Sequence, residues 1–359
     1  MPQLQPIVLW RTAVMLASLL LLAGCWDNKD INHRSLPIVM GVSMENNQFN
    51  VYLDIPTISA EGGGMKVVKG TGNTISEIID DLSADIESQV DLLHLKIIVV
   101  DKKYAQKGLK DSIYTFMRSR DISAKTILIV SNEDLDTFFK DLNDFSQDEE
   151  ITLYNYFQKN AGWNPQITDT RIWQVFRSIN SYTHDVVAPL VRTGGTTPVD
   201  ILGSAVFKNG KMVDEINTEE TLLINAFNGI SAQGKIEVMN KATVQIISSS
   251  LSHKTSVRNG VPYLNSKLKL KVTLLDTKGD PSVEEIKNEV QTLLCKRVKK
   301  FFAQVQQDQA DVLGIGQLFR TKLSRPELAH WREEYYPRME LNLSVHTDIQ
   351  NLGNLRTTE

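Results

Sequence analysis

Histidines are the first place to look for chemistry, because two imidazoles four residues apart on one helical face can hold zinc. His33, His94, His184, His253, His330 and His346 include no such pair. Gly70-Thr71-Gly72-Asn73 lacks the third glycine of a dinucleotide fingerprint, and no Gly-Lys-Ser/Thr follows a glycine-rich loop, as a phosphate-cradling P-loop requires. In Gly229-Ile230-Ser231-Ala232-Gln233-Gly234 the second glycine comes one position too late for a nucleophile elbow. The adjacent acids Asp80-Asp81, Glu149-Glu150 and Glu219-Glu220 point in different directions on a helix and read as solvated charge. His94, beside the apolar run Leu95 to Val100, reads as a hydrogen-bonded residue at the start of a strand. No catalytic, cofactor-binding or metal-binding residue is therefore expected, and no enzyme. The two cysteines remain. Cys295 falls on the apolar stripe of a helix and reads as a small packing residue. Cys25 ends an apolar run.

That run extends from Ala13 to Ala23 and is broken only by Ser18. A helix from Thr12 to Gly24 would reach about 20 Å, against roughly 30 Å of hydrocarbon in a bilayer. Starting it at Ile7 would bury Arg11, at about 2.5 to 3.5 kcal/mol. The stretch fits the core of a secretory signal peptide with Arg11 at its basic end. Its close, Leu22-Ala23-Gly24-Cys25, resembles the lipobox of bacterial lipoproteins. That resemblance implies cleavage between Gly24 and Cys25 and an S-diacylglyceryl thioether on Cys25, whose freed amine is open to N-acylation. Two acyl chains give stable membrane residence where one is marginal. A short uncleaved anchor with an incidental cysteine is the alternative.

With 359 residues, 42% of them hydrophobic, the chain has material for two or three cores. The formal charge of −4 and pI near 5.9 give no general attraction to nucleic acid. Removing residues 1–24 takes away Arg11 alone and leaves a mature chain of formal charge −5, so lipid and not charge is expected to hold it on an anionic leaflet. Residues 25–35 form a short tether, at most about 35 Å when extended.

Residues 36–190 read as an N-terminal domain. Leu36 to Ser43 and Phe49 to Ile55 form a hairpin, followed by a glycine-rich loop spanning Gly62 to Gly72 and a helix over Thr74 to Gln89. Leu95 to Val100 and Thr126 to Val130, with a helix over Tyr104 to Met117 between them, suggest a βαβ crossover. Ser131-Asn132-Glu133-Asp134 resembles a capping box for the next helix. The pattern weakens from Asp148 to Thr197, and a boundary is expected near residue 190. Residues 191–235 are expected to form a small middle unit: a hairpin turning at Asn209-Gly210, then a helix from Thr218 to Phe227. Residues 236–359 read as a C-terminal domain. Its long strands over Ala242 to Leu251 and Leu264 to Leu275, and a last strand near Leu341 to Val345, form an antiparallel sheet. A long helix opened by Ser282 and Glu285 crosses it. The class is α+β, mixed α/β, in three domains.

Taken in order, several segments resemble the Ger(x)C family of bacterial spore germination lipoproteins. They are Gly24-Cys25-Trp26-Asp27, Leu36-Pro37-Ile38-Val39-Met40-Gly41, His94-Leu95-Lys96-Ile97-Ile98 and Arg118-Ser119-Arg120-Asp121. Gly203 to Phe207, Glu219-Glu220-Thr221, Asp311-Val312-Leu313-Gly314-Ile315-Gly316 and Trp331 complete the series. Tyr335-Tyr336 stands where the family has a second aromatic after Trp331. The resemblance implies a non-enzymatic C subunit of a nutrient germinant receptor, needed for the germination response. It implies a lipid anchor on the outer face of the spore inner membrane, with an A subunit and a multi-spanning B subunit as partners. A lipoprotein solute-binding subunit of an ABC importer is the alternative; it would be built of two similar α/β lobes.

Overall fold

The computed structural model describes residues 10, 11, 14, 15, 18, 34–59, 62–86, 88–146, 153–160, 164–230, 234 and 236–351. Two sheets organise the chain. Strands β1 (Arg34–Ser35), β2 (Val39–Glu45), β3 (Gln48–Ser59) and β4 (Gly62–Gly72) come first. After them follow β5 (Gln89–Val90), β6 (Ile97–Asp101), β7 (Ile127–Ser131), β8 (Val186–Thr193), β9 (Val199–Lys208) and β10 (Lys211–Ile216). Eight of these form one mixed sheet in the order β10-β9-β8-β7-β6-β2-β3-β4, while β1 and β5 pair separately. The four central strands are parallel to one another, as the expected βαβ crossover requires.

Alternation along these strands divides the core. Met40, Val42, Ile98, Val100, Leu128 and Val130 face helices α1 (Ile75–Asp85), α2 (Lys102–Lys107), α3 (Lys110–Arg118) and α6 (Ile172–Ile179). Val39, Ile97, Val99, Ile127 and Ile129 face α4 (Leu135–Ser146) and α5 (Leu153–Asn160) on the other side. Strands buried on both faces must be apolar throughout, and Ile97 to Val100 and Ile127 to Val130 are.

Several local expectations change. The glycine-rich stretch is a strand and not a loop: Gly62 to Gly72 pair residue by residue with Ser59 to Phe49. Its glycines admit α1, since a Cβ on Gly70 would lie 2.6 Å from Ile78 Cγ2 and one on Gly72 2.9 Å from Ile78 Cγ1. Helix α1 starts at its Thr74 cap as read but stops at Asp85, and the helix expected over Tyr104 to Met117 divides at Gly108 into α2 and α3. Asp134, not Ser131, caps α4 by accepting from Thr137 N at 2.9 Å; Ser131 still belongs to β7.

The boundary expected near residue 190 falls inside β8. The hairpin assigned to a middle unit is the edge of the large sheet, because β9 pairs with β8 along its whole length. Only helix α7 (Thr218–Phe227) leaves that sheet, opened by the Asn217 and Glu220 capping box.

The second sheet runs β11 (Ile236–Val238), β12 (Ala242–Arg258), β13 (Val261–Thr277), β14 (Glu340–Asn351), and helix α8 (Val283–Gln307) covers its dry face. It is not wholly antiparallel: β14 pairs with β13 in parallel, because α8 and the segment to Met339 form the crossover that parallel pairing needs. Cys295 sits half-buried on α8 with its thiol 3.9 Å from Leu343 O. The two sheets differ in strand number and order, so the paired lobes of the importer reading are not what this chain builds.

Asp54, on the face of β3 that also carries Tyr52, is buried, and its Oδ1 has no hydrogen-bond partner. Burial raises its carboxyl from the ordinary 3.8 to about 7. As pH climbs from about 4 to about 7 the unfolded chain loses a proton that the folded chain keeps, so this group's contribution to stability is lost over that window. Asp54→Asn never ionises. Relative to wild type it should gain up to about 4 kcal/mol across the window and level off above it. Urea unfolding at a series of pH values measures the difference, and a constant gap would contradict the assignment.

Candidate functional site

Two carboxylates lie at the junction of the large sheet with the C-terminal unit, each with 0% exposure. Asp185 precedes β8, and Asp311 follows α8. A buried carboxylate is tolerated only when its oxygens collect donors, and these do. Asp185 takes a two-pronged bond from Arg332, with Nη2 to Oδ1 at 2.7 Å and Nε to Oδ2 at 2.9 Å. It also accepts from Asp311 N at 3.0 Å and from Asn209 N, in the β9–β10 turn, at 3.2 Å. Asp311 accepts from Ile315 N at 2.8 Å, Gly316 N at 2.7 Å and Trp331 Nε1 at 2.8 Å. The backbone closes the same link, Asp185 N donating to Asp311 O at 2.9 Å.

The glycines of the Asp311 to Gly316 segment fit this knot. Gly314 takes a left-handed conformation at φ 62°, and a Cβ there would lie 2.2 Å from His184 Nδ1. A Cβ on Gly316 would lie 2.6 Å from Thr183 Cβ and 2.8 Å from Trp331 Cε2. Trp331 and Tyr336 are fully buried, with Phe319 and Tyr336 against the indole at centroid distances of 5.2 and 6.0 Å. Val187, Val206 and Ile216 of the large sheet join Phe301, Phe302, Val305 and these aromatics in one core.

Electrostatics at the knot follow from burial. Desolvation lifts Asp311 to about 7, against the pull of the Gly316 and Ile315 amides. Desolvation, with Arg177 and Arg332 nearby, lowers His184 to about 4, so its ring is neutral near pH 7. Tyr336 is raised well above the usual phenol value by burial and by the charge of Asp311.

Outside the knot lies a cleft of about 730 Å³, lined by Phe176, Arg177, Tyr182, His184, Arg320 and Arg325 among others. A second concavity of about 360 Å³ shares Arg177 and His184 with it and includes Trp173, Asn225 and Ile230. The two hollows adjoin through these shared residues. The polar groups reaching the cleft suit hydrogen bonding and ion pairing. Ser181, Tyr182 and Thr183 bring hydroxyls directly before His184, and that of Thr183 is occupied by a hydrogen bond from Gln317. Among the described residues, no group of three or more His, Cys, Asp or Glu side chains is placed to hold a metal ion.

Gly24 and Cys25, the expected cleavage and lipid-attachment residues, lie outside the described residues. Among the motifs, Asp311 to Gly316 and Trp331 meet in the knot, whereas His94 closes a short 3₁₀ turn ahead of β6 and takes no part. Asp185 and Arg332 were not singled out from the sequence. The available signals were an acid placed directly before the apolar run Val186 to Leu190, and an arginine beside a singled-out tryptophan.

Residues 27–193 match the family described as "Spore germination protein N-terminal domain", and residues 202–353 match "Spore germination B3/ GerAC like, C-terminal". The chain is similar to the spore germination protein GerQC of Bacillus cereus, 22% identical over 81% of this chain and 84% of that one. It is also similar to the spore germination protein KC of Bacillus subtilis (strain 168), 20% identical with 95% of each chain covered. Among solved structures it is similar to the crystal structure of the GerBC protein. That likeness has a TM-score of 0.58 at 15% identity and covers 87% of this chain and 97% of that one, which shows a shared fold.

Arg332→Met should leave the Asp185 carboxylate buried without its main counter-charge, at a cost of roughly 3–5 kcal/mol. Asp185→Leu combined with Arg332→Met should recover part of that loss. Urea unfolding monitored by tryptophan fluorescence reads both, and a single variant as stable as wild type would remove the pair from the account.

Proposed function

Since the chain belongs to the GerAC family of spore germination proteins, we propose that it is the C subunit of a nutrient germinant receptor. In this reading a diacylglyceryl thioether on Cys25 holds it on the outer face of the spore inner membrane. It acts without enzymatic chemistry, through contact with the receptor's A and B subunits, and is needed for the response to nutrients.

One observation carries the proposal: the family match runs in order along the chain and begins at residue 27, two positions after Cys25. The family body thus starts where a mature lipoprotein would start. Physical features support the same reading. From Cys25 to β1 at Arg34 is nine residues, about 30 Å at full extension, so an anchored body stays near the bilayer. No helix among the described residues is long and apolar enough to cross a membrane, and two acyl chains on Cys25 would hold the body there without one. A body tied together by buried ion pairs and a shared aromatic core suits a docking subunit, which has to present a fixed surface.

Cys25→Ala tests the anchor. The variant should shift from the membrane fraction to the soluble fraction and lower germination through its receptor to near the level of a strain lacking the subunit. Full membrane retention with a normal nutrient response would contradict the proposal.

A further inference from the structure

Exposed large aromatics are few on the folded body. Among the described residues from 34 onward they are Trp173, 38% exposed, and Tyr182, 56% exposed. Both border the paired concavities beside the knot, Tyr182 on the larger and Trp173 on the smaller. Three arginines stand with them. Arg177, one turn along α6 from Trp173, lies over the indole ring at 5.1 Å, and Arg320 and Arg325 line the larger cleft from the C-terminal side. None of the three is paired with a carboxylate among the described residues, and no Asp or Glu lines the larger cleft. The carboxylates of the smaller concavity are already engaged, Asp169 by Arg171 at 2.6 Å and Asp185 by Arg332. Thr183 and His184, which also line the larger cleft, lie against Gly316 and Gly314 of the knot, and His184 is neutral near pH 7.

We propose that this double cleft is a docking groove for an acidic segment of a companion receptor subunit, with Arg177, Arg320 and Arg325 as the charge clamp and Trp173 and Tyr182 as the anchors. The inference rests on the function proposed above and names the surface through which it operates. Charge complementarity selects the occupant: an unpaired cationic groove on a mature chain of formal charge −5 attracts acidic groups that the rest of the surface repels. Tryptophan, tyrosine and arginine are also the residue types that dominate binding energy at protein interfaces. Shape argues for a chain segment. Two adjoining hollows exceed what a small anion fills, and a flat bilayer would not reach into a concave groove. The arginines are exposed in the isolated subunit, so their charges strengthen as contacts only when another surface covers them and excludes water.

The test uses the full-length lipoprotein expressed with its A and B subunits. Reversing the clamp with R177E, R320E and R325E together should lower the co-purified A and B subunits by roughly tenfold or more, because like charges then meet across the interface. Membrane retention and thermal unfolding of the triple variant should stay as in wild type. W173A with Y182A, which leaves every charge in place, should weaken the same association and guards against misfolding of the charge variant. A photo-crosslinking residue at position 182 should join an acidic stretch of a companion, identified by mass spectrometry. Equal recovery of A and B by wild type and both variants would overturn the groove while leaving the proposed function standing. So would a crosslink to a segment without acidic residues, or a defect confined to binding phosphatidylglycerol vesicles or free glutamate. If wild-type protein recovers neither subunit, the proposed function and the groove fail together.

Discussion

The structure depends on the need of two dry carboxylates for hydrogen-bond donors. Asp185 and Asp311 are removed from water, and each would be costly there without a full set of partners. Their donors come from the turn of the β9–β10 hairpin, the backbone of the loop after α8, and the side chains of Trp331 and Arg332. Those segments are far apart in sequence, so meeting the demand fixes how the C-terminal unit sits on the large sheet. The apolar contacts of Val187, Val206 and Ile216 with Phe301 and Trp331 supply the burial, and the carboxylates supply the direction. An apolar interface alone could slide; one with a forked arginine bond and three N–H donors on a neighbouring acid has few alternatives.

Much of the fold was legible in the sequence because it rests on local periodicity. Ile97 to Val100 and Ile127 to Val130 announce doubly buried strands, Asn209-Gly210 announces its turn, and Ser282 with Glu285 announces α8. The misread strands share a physical cause, since each is decided by the strand alongside it and not by its own residues. Gly62 to Gly72 has little strand propensity of its own, yet it pairs fully with β3 and uses its missing side chains to admit Ile78. The break expected near residue 190 reflected a local loss of pattern, whereas the sheet continues across it through hydrogen bonds to β7 and β9. β14 alternates as read, but nothing in its own residues says that its neighbour runs parallel.

The junction was legible in half. Asp311 to Gly316 and Trp331 stood out as motifs, and their glycines now have reasons: one takes a left-handed turn under His184, the other sits between Thr183 and Trp331. Asp185 and Arg332 have no sequence signature, because a buried ion pair is recognisable only once both ends are in place. The cleft above the knot is a tertiary product in the same sense. Its arginines come from α6 and from the segment after the Ile315–Phe319 turn, and its two sides meet because the knot brings them together. A cleft walled from both sides of a joint keeps its shape only if that joint does not open.

Native-state hydrogen exchange tests that joint most directly. If the carboxylate knot makes the sheet and the C-terminal unit one cooperative body, the amides of Asp311, Ile315 and Gly316 should exchange as slowly as those of β8 and respond equally to denaturant. Exchange of those three amides at the rate of exposed turns, with β8 still protected, would show a loosely attached C-terminal unit and contradict the account.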